Sequence, residues 1–308
     1  MRRSVSANPH DRPLLALAIR LFGVLWLAVL AVFIKLAADS GIHLVEIMFW
    51  RQFLSIPILL AWGISTHGWR SFATARPKDH AVRTLYGIAG MALNFGAIIL
   101  LPLAEATALT FSAPIFAVLL SIVLLRESVG FWRWSAVAAG FAGVLVIAQP
   151  GGNHVPLAGA AVALGAAFMI ALISIQVRDL GRTEQPIVIV FWFAVGGSLV
   201  VLPALPFVHQ HLSAWQWLLL LGIGLSGTFA QILITFALKI GQVSSVIVMD
   251  YSNLVWATLF GWLVFATVPP LSTWLGAPLV VAAGVIITWR EQVLRKRKLA
   301  ATTPVQGT

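Results

Sequence analysis

The sequence predicts an all-α integral membrane protein of ten transmembrane helices, arranged as two inverted five-helix repeats with both termini in the cytoplasm. Three observations carry this. Hydrophobic residues make up 60% of the chain and charged residues 10%, whereas soluble globular chains carry about 25% charged residues. The chain divides into ten apolar runs, near 16–38, 44–65, 82–101, 106–125, 131–148, 157–178, 187–207, 214–238, 243–266 and 271–289, of the length needed to cross a bilayer as helices. Short strings also recur in order at offsets of 135 to 142 residues: Phe49-Trp50 as Phe191-Trp192, Gly87-Ile88-Ala89-Gly90 as Gly222-Ile223-Gly224, and Ala142-Gly143-Val144 as Ala283-Gly284-Val285. Five runs per half is an odd number, so the second half enters the membrane upside down, the arrangement on which many secondary transporters build alternating access.

Each run is bounded by charge, Pro or Gly. Residues 1–15 form a cytoplasmic tail with Arg2, Arg3 and Arg12, and run one is too long for the apolar part of a cleaved signal, so it is read as an uncleaved helix. The repeats occupy 16–148 and 157–291, and 292–308 is a basic cytoplasmic tail. Barrel-type alternation of polar and apolar residues is absent, which leaves helices as the spanning element. The basic residues set the orientation. Arg2, Arg3, Arg12, Arg20, Arg70, Arg76, Lys78, Arg83, Arg126, Arg133, Arg178, Arg182, Lys239, Arg290, Arg295, Lys296, Arg297 and Lys298 fall on one side. The opposite loops, 39–43, 102–105, 149–156, 208–213 and 267–270, hold no Lys or Arg. By the positive-inside rule both termini are cytoplasmic, and Trp62, Trp69, Trp132, Trp134, Trp215, Trp217, Trp274 and Trp289 at the run ends form the interfacial belt.

The same pattern excludes several functions. A net charge of +10 spread over short loops and tails is a topology signal, not a nucleic-acid patch. With no Cys there is no disulfide, thiolate nucleophile or iron–sulfur ligand. There is no P-loop string for ATP-driven transport. The seven His lie outside the runs or at their ends, so neither a metal site nor a mid-membrane His relay is expected. No ring of charges or carbonyl motifs repeats as in a channel. A multipass enzyme acting on a lipid or lipid-linked substrate remains the alternative, without a recognisable acid–base or nucleophile set.

Within the runs, ionisable and polar residues are the candidates. Asp250 is the one charge of the run Val243 to Ala266. An acid at a helix centre costs about 2.5 to 3.5 kcal/mol to insert, so such acids face protein or a watery path. Asp250 is therefore the proton-coupling candidate and a holder for a cationic group, or else it pairs with a neighbouring helix. Arg51 lies about 10 Å inside run two, and its planar fork suits a substrate carboxylate or other anionic group; the other reading is snorkelling to the interface. Glu46, in the first turn of the same run, is read as a rim residue that suits a helix N-terminus. Tyr251 and Asn253 add a hydroxyl and an amide beside Asp250. Asn94 and Gln231 sit near mid-membrane in equivalent runs, as ligands or as interhelical hydrogen-bond partners. Tyr86, Trp192 and Trp256 are expected to wall an aromatic cavity, or to pack. Pro114 removes an N–H and frees the carbonyl of Thr110; Thr107, Thr110 and Ser112 are expected to bond their own backbone.

The chain resembles a known family in Ala104-Glu105-Ala106-Thr107-Ala108-Leu109, Ser112-Ala113-Pro114, Leu124-Leu125-Arg126-Glu127 and Gly140-Phe141-Ala142-Gly143-Val144. A second set is Asp250-Tyr251-Ser252-Asn253-Leu254-Val255-Trp256-Ala257, Gly261-Trp262-Leu263, Trp274-Leu275-Gly276-Ala277 and Trp289-Arg290-Glu291. These resemble the two EamA-type repeats of the drug/metabolite transporter superfamily, over about residues 16 to 291. The resemblance implies a ten-helix carrier of the inner (plasma) membrane with a central cavity between two inverted halves. It would move a small polar or zwitterionic metabolite, of the amino-acid-like, S-adenosylmethionine or riboflavin class, with no cofactor, as monomer or dimer. The family's Gly-Glu pair at the end of the fourth helix of each repeat is replaced here by Arg126-Glu127 and Ala266-Thr267. Glu127 is accordingly read as structural.

Overall fold

The computed structural model describes residues 13–125, 131–149, 155–181, 183–208, 210–240 and 249–302, which contain helices and connections and no strand. The helices are α1 (Pro13–Asp39), α2 (Leu44–Phe53), α3 (Ser55–His67), α4 (Pro77–Leu100), α5 (Leu103–Thr110), α6 (Ala113–Leu125), α7 (Phe131–Ala148), α8 (Leu157–Leu180), α9 (Pro186–Val201), α10 (Leu205–Val208), α11 (Ala214–Ile240), α12 (Ser252–Phe265) and α13 (Leu271–Thr302). Seven helical stretches among the described residues are long and apolar enough to cross a membrane, and the stretches Trp134–Ala148 and Leu271–Ile286 are shorter apolar helices. Arg126, Glu127 and residues 243–248, the start of run nine, lie outside the described residues.

Runs two, four and seven are broken helices, and the breaks have local causes. Between α2 and α3 the chain turns at Leu54. Pro57 has no N–H to return to the carbonyl of Phe53, which removes one rung of the helical ladder at this point. Between α5 and α6 the turn falls at Phe111 and Ser112, where Pro114 likewise withholds the bond to Thr110. The Thr110 and Ser112 hydroxyls donate to the carbonyls of Ala106 and Leu109, both at 2.7 Å, as expected of hydroxyls in a lipid-buried helix. In run seven, Pro203 sits in the 3-10 turn Leu202–Ala204 between α9 and α10. Run ten is longer than expected: α13 continues through the basic residues Arg295 to Lys298 as far as Thr302. Lys, Arg, Leu and Ala are good helix formers, and no Gly or Pro intervenes to stop the helix.

The helices cluster into two compact units that draw on both halves of the sequence. One comprises residues 1–75 and 185–260, the other 76–184 and 261–308. In the first unit α1 packs along α11, α2 against α9 and α11, and α3 against α9. In the second, α4 packs along α8, α5 and α6 lean on α8, and α7 runs along α13. Lipid tails are as apolar as the side chains, so small residues that admit close approach decide where helices meet. A Cβ placed on Gly143 of α7 would lie 2.7 Å from the carbonyl oxygen of Gly276 on α13, and one on Gly276 would lie 2.6 Å from that of Gly143. These two helices touch backbone to backbone there.

In the second unit, Arg76 joins the start of α4 to the end of α8. Its Nε donates to Asp79 at 2.8 Å and its Nη2 to Asp179 at 2.6 Å, and the two carboxylates, Asp179 foremost, push the guanidinium pKa up. In the first unit, Gln210 donates to the Gly41 carbonyl at 2.8 Å and Gln216 to that of Ser40 at 2.9 Å. These two bonds tie down the turn after α1, where Gly41 takes a φ of 88° that a side chain would resist.

Candidate functional site

Run nine contains the acid that sequence reasoning singled out, and the structure supplies its partner. Asp250 stands in the 3-10 turn Met249–Tyr251 that precedes α12. The guanidinium of Arg20, in the second turn of α1, grips it side-on: Nε donates to Oδ1 at 2.7 Å and Nη2 to Oδ2 at 2.6 Å. The remaining Nη1 donates to the carbonyl of Ile234 on α11 at 3.3 Å. Arg20 is buried while Asp250 keeps 37% of its side chain exposed. The pair thus ties α1, α11 and the start of run nine together, and Asp250 is compensated from within the chain. Arg20 had counted only as an orienting charge at a helix end. Its separation of 230 residues from Asp250 gave no local signal of the pairing.

Arg51 occupies the last turn of α2. Its Nη1 donates to the side-chain oxygen of the neighbouring Gln52, and its Nε is buried without a hydrogen-bond partner. Among the described residues no carboxylate lies within ion-pair distance of it. Gln52 is fully buried and donates Nε2 to the carbonyl of Phe193 on α9 at 3.0 Å. One step further, Ser55 Oγ donates to the Arg51 carbonyl at 2.8 Å, and the Thr228 hydroxyl of α11 lies 2.8 Å from Ser55 Oγ. Gly227 of α11 leaves room beside the guanidinium, since a Cβ there would meet Arg51 Nε at 3.4 Å. The break between α2 and α3 is therefore the point where α2, α9 and α11 share a polar network centred on a cation. Sequence reasoning found Arg51 and missed Gln52; the signal available was a second long polar side chain next to the first inside an apolar run.

The other candidates fall in different places. Asn253 and Trp256 lie on the first two turns of α12, and the Oδ1 of one and Nε1 of the other are buried without hydrogen-bond partners. Tyr251 and Gln231 are half-buried and engaged with neighbours. Trp192 donates its indole N–H to the carbonyl of Phe72 at 3.0 Å and packs with the apolar cluster around Leu59, Phe72 and Ile187, so its polar edge is already used. Tyr86 is partly exposed and Asn94 half-buried on α4, and both belong to the second compact unit while the other seven candidates belong to the first. Glu46 departs from expectation. Read as a rim residue, it is wholly buried in the first turn of α2, because the helix entry is covered by protein. A further buried acid, Glu105 in the first turn of α5, accepts a 3.3 Å hydrogen bond from Thr273 of α13.

A helical membrane protein of many passes, with a fork-shaped cation and unpartnered polar atoms among apolar helices, has features that membrane transporters share. The sequence profile of the EamA-like transporter family matches residues 14–149 and again 157–289, and the chain belongs to that family. A riboflavin transporter of Vibrio cholerae is 32% identical over 246 residues, 79% of this chain and 81% of that one. An S-adenosylmethionine uptake transporter of Rickettsia felis is 26% identical over 264 residues, 84% and 87% of the two chains. A solved crystal structure 20% identical superposes with a TM-score of 0.62 and covers 92% of this chain and 99% of its own, which speaks for the fold alone. The protein is therefore a multi-pass transporter of the inner membrane and not an enzyme, which closes the lipid-enzyme alternative.

Proposed function

We propose that the protein is a secondary active carrier that moves a small polar or zwitterionic metabolite by alternating access, with ten helices in two inverted repeats, 16–148 and 157–291, and both termini cytoplasmic. The observation that carries this reading is the pairing of the runs. Numbered along the chain, run one packs on run eight and run three on run six; run two packs on run seven, and run five on run ten. Exchanging every run for its counterpart five places away maps these four pairs onto themselves, a pattern that favours a two-fold relation between the halves. Two equivalent halves give two equivalent end states, one open to each side, which is the physical basis of rocking carriers.

In this proposal Arg51 takes the anionic or acceptor end of the substrate. Asp250 is the coupling residue, exchanging Arg20 for a proton or a cationic group as access changes sides. Asn253 and Trp256 are the most favoured of the remaining ligands, because their buried polar atoms await a partner. Tyr86, Asn94, Trp192, Gln231 and Tyr251 complete the proposed set. Relatives named for riboflavin and for S-adenosylmethionine bracket the substrate class, and amino-acid-like compounds fall within the same description.

The test is flux by the purified protein in liposomes, with solute chemistry followed in parallel. Saturable, substrate-dependent movement without covalent change is expected. A solute that emerges modified, or no movement of any metabolite, refutes the carrier reading.

A further inference from the structure

We propose that Arg51 and Gln52 together read a substrate that presents two adjacent hydrogen-bond acceptors on a flat edge and carries no net positive charge, with Gln52 as the positioning residue. The proposal rests on the carrier reading above and narrows its substrate class. A guanidinium has five N–H donors in one plane. Here one of them goes to Gln52, Nε is buried with no acceptor, and among the described residues no carboxylate lies within ion-pair distance. A cation held this way among apolar helices is oriented but under-supplied, and its unmet donors favour any ligand that brings acceptors.

The orientation comes from both sides of the side chain. Gln52 can satisfy its neighbours in one sense only: its N–H₂ goes to the Phe193 carbonyl, so its oxygen faces Arg51. Ser55 and Thr228 fix the backbone behind it, and Gly227 lets α11 pass close along the Nε edge, where a Cβ would come within 3.4 Å. A side-on fork of this kind matches a carboxylate, or the paired carbonyl and ring-nitrogen acceptors of a heterocycle, better than it matches a point charge. Asp250, the acid of run nine, is paired with Arg20 in this structure, so the charge presented beside Gln52 is the guanidinium of Arg51. A sulfonium or ammonium group gains nothing from it.

Two probes separate the possibilities. Riboflavin offers adjacent acceptors on a planar ring edge, and S-adenosylmethionine carries a sulfonium and an ammonium beside its carboxylate. Saturable flux of each is measured for the full chain in liposomes, in wild type, Arg51→Lys, Gln52→Ala and Gln52→Glu, with thermal melting as the check on folding. Riboflavin is expected to saturate at the lower concentration in wild type. Arg51→Lys keeps the charge and loses the fork, and Gln52→Glu sets a carboxylate against the guanidinium. Each should raise the half-saturation concentration for riboflavin about tenfold or more while the maximal flux changes less than about twofold; Gln52→Ala should fall between these and wild type.

An unchanged half-saturation concentration in Arg51→Lys overturns the recognition role. An unchanged one in both Gln52 variants, or in whichever of them folds, overturns the positioning role. Preference for S-adenosylmethionine, or flux of some other solute from metabolite-loaded liposomes with none of riboflavin, overturns the substrate class and leaves the carrier reading intact. Movement of no solute in any arm strikes the carrier reading itself.

Discussion

At the scale of single residues, the chemistry of this protein turns on two guanidinium groups in opposite situations. Arg20 is satisfied by a side-on carboxylate and a helix carbonyl, and its role is to hold Asp250 and three segments together. Removing one partner of such a pair leaves the other charge stranded among apolar groups, which costs more than removing both. Arg20→Ala is accordingly expected to lower stability in detergent by about 2 kcal/mol, discounted for the open side of Asp250. The double variant Arg20→Gln with Asp250→Asn should recover most of that loss in a thermal melt. Asp250→Asn alone should fold, and either lose net flux or change its dependence on pH between about 5 and 8. Flux with an unaltered pH profile removes Asp250 from the coupling step and leaves the pair a structural one. Arg51, by contrast, has an unmet Nε donor beside a helix break, which is why it is the proposed ligand site.

At the scale of helices, two kinds of contact hold the elements. Where α7 meets α13, backbone lies on backbone at Gly143 and Gly276, and there is no room for a side chain. Gly143→Val should force the helices apart at a cost of about 1 to 3 kcal/mol, seen as a lower melting temperature. A melting temperature equal to wild type would mean that the two helices separate without penalty. Where the start of α4 meets the end of α8 the contact is electrostatic instead. Arg76 stays charged far above physiological pH, because its partners raise an already high pKa, so its side of the bridges is charged throughout the neutral range. Salt, not pH, is the variable that should weaken them: Arg76→Ala is expected to remove the salt sensitivity of stability between about 0.05 and 0.5 M, with little effect on its pH dependence from about 6 to 9.

At the scale of the whole molecule, the proposed inverted topology makes a prediction that the sequence itself makes easy to test, since the chain has no Cys. Single substitutions Ser40→Cys and His211→Cys should react with a membrane-impermeant thiol reagent in intact cells. Thr74→Cys and Lys296→Cys should react only after the membrane is opened. The reverse pattern excludes cytoplasmic termini, and labelling of all four from one side excludes two inverted five-helix halves. Hydropathy was enough to read a helical multi-pass membrane protein from the chain alone, and the EamA type came from the likeness of the strings around residues 104–144 and 250–291 to that family. The solvent dictates this directly: a bilayer requires long apolar helices and sorts charge to their ends, and both constraints are written residue by residue. The breaks at Pro57, Pro114 and Pro203 follow equally from local chemistry, although only the one at Pro114 was anticipated. Partnership was the part that folding alone could decide. That Asp250 belongs to Arg20, that Gln52 steers Arg51 while bonded to Phe193, and that Glu46 is enclosed all depend on helices far apart in the chain lying side by side. In lipid that choice rests on fitted surfaces and a few buried polar bonds, which leave no periodicity in the sequence to be read.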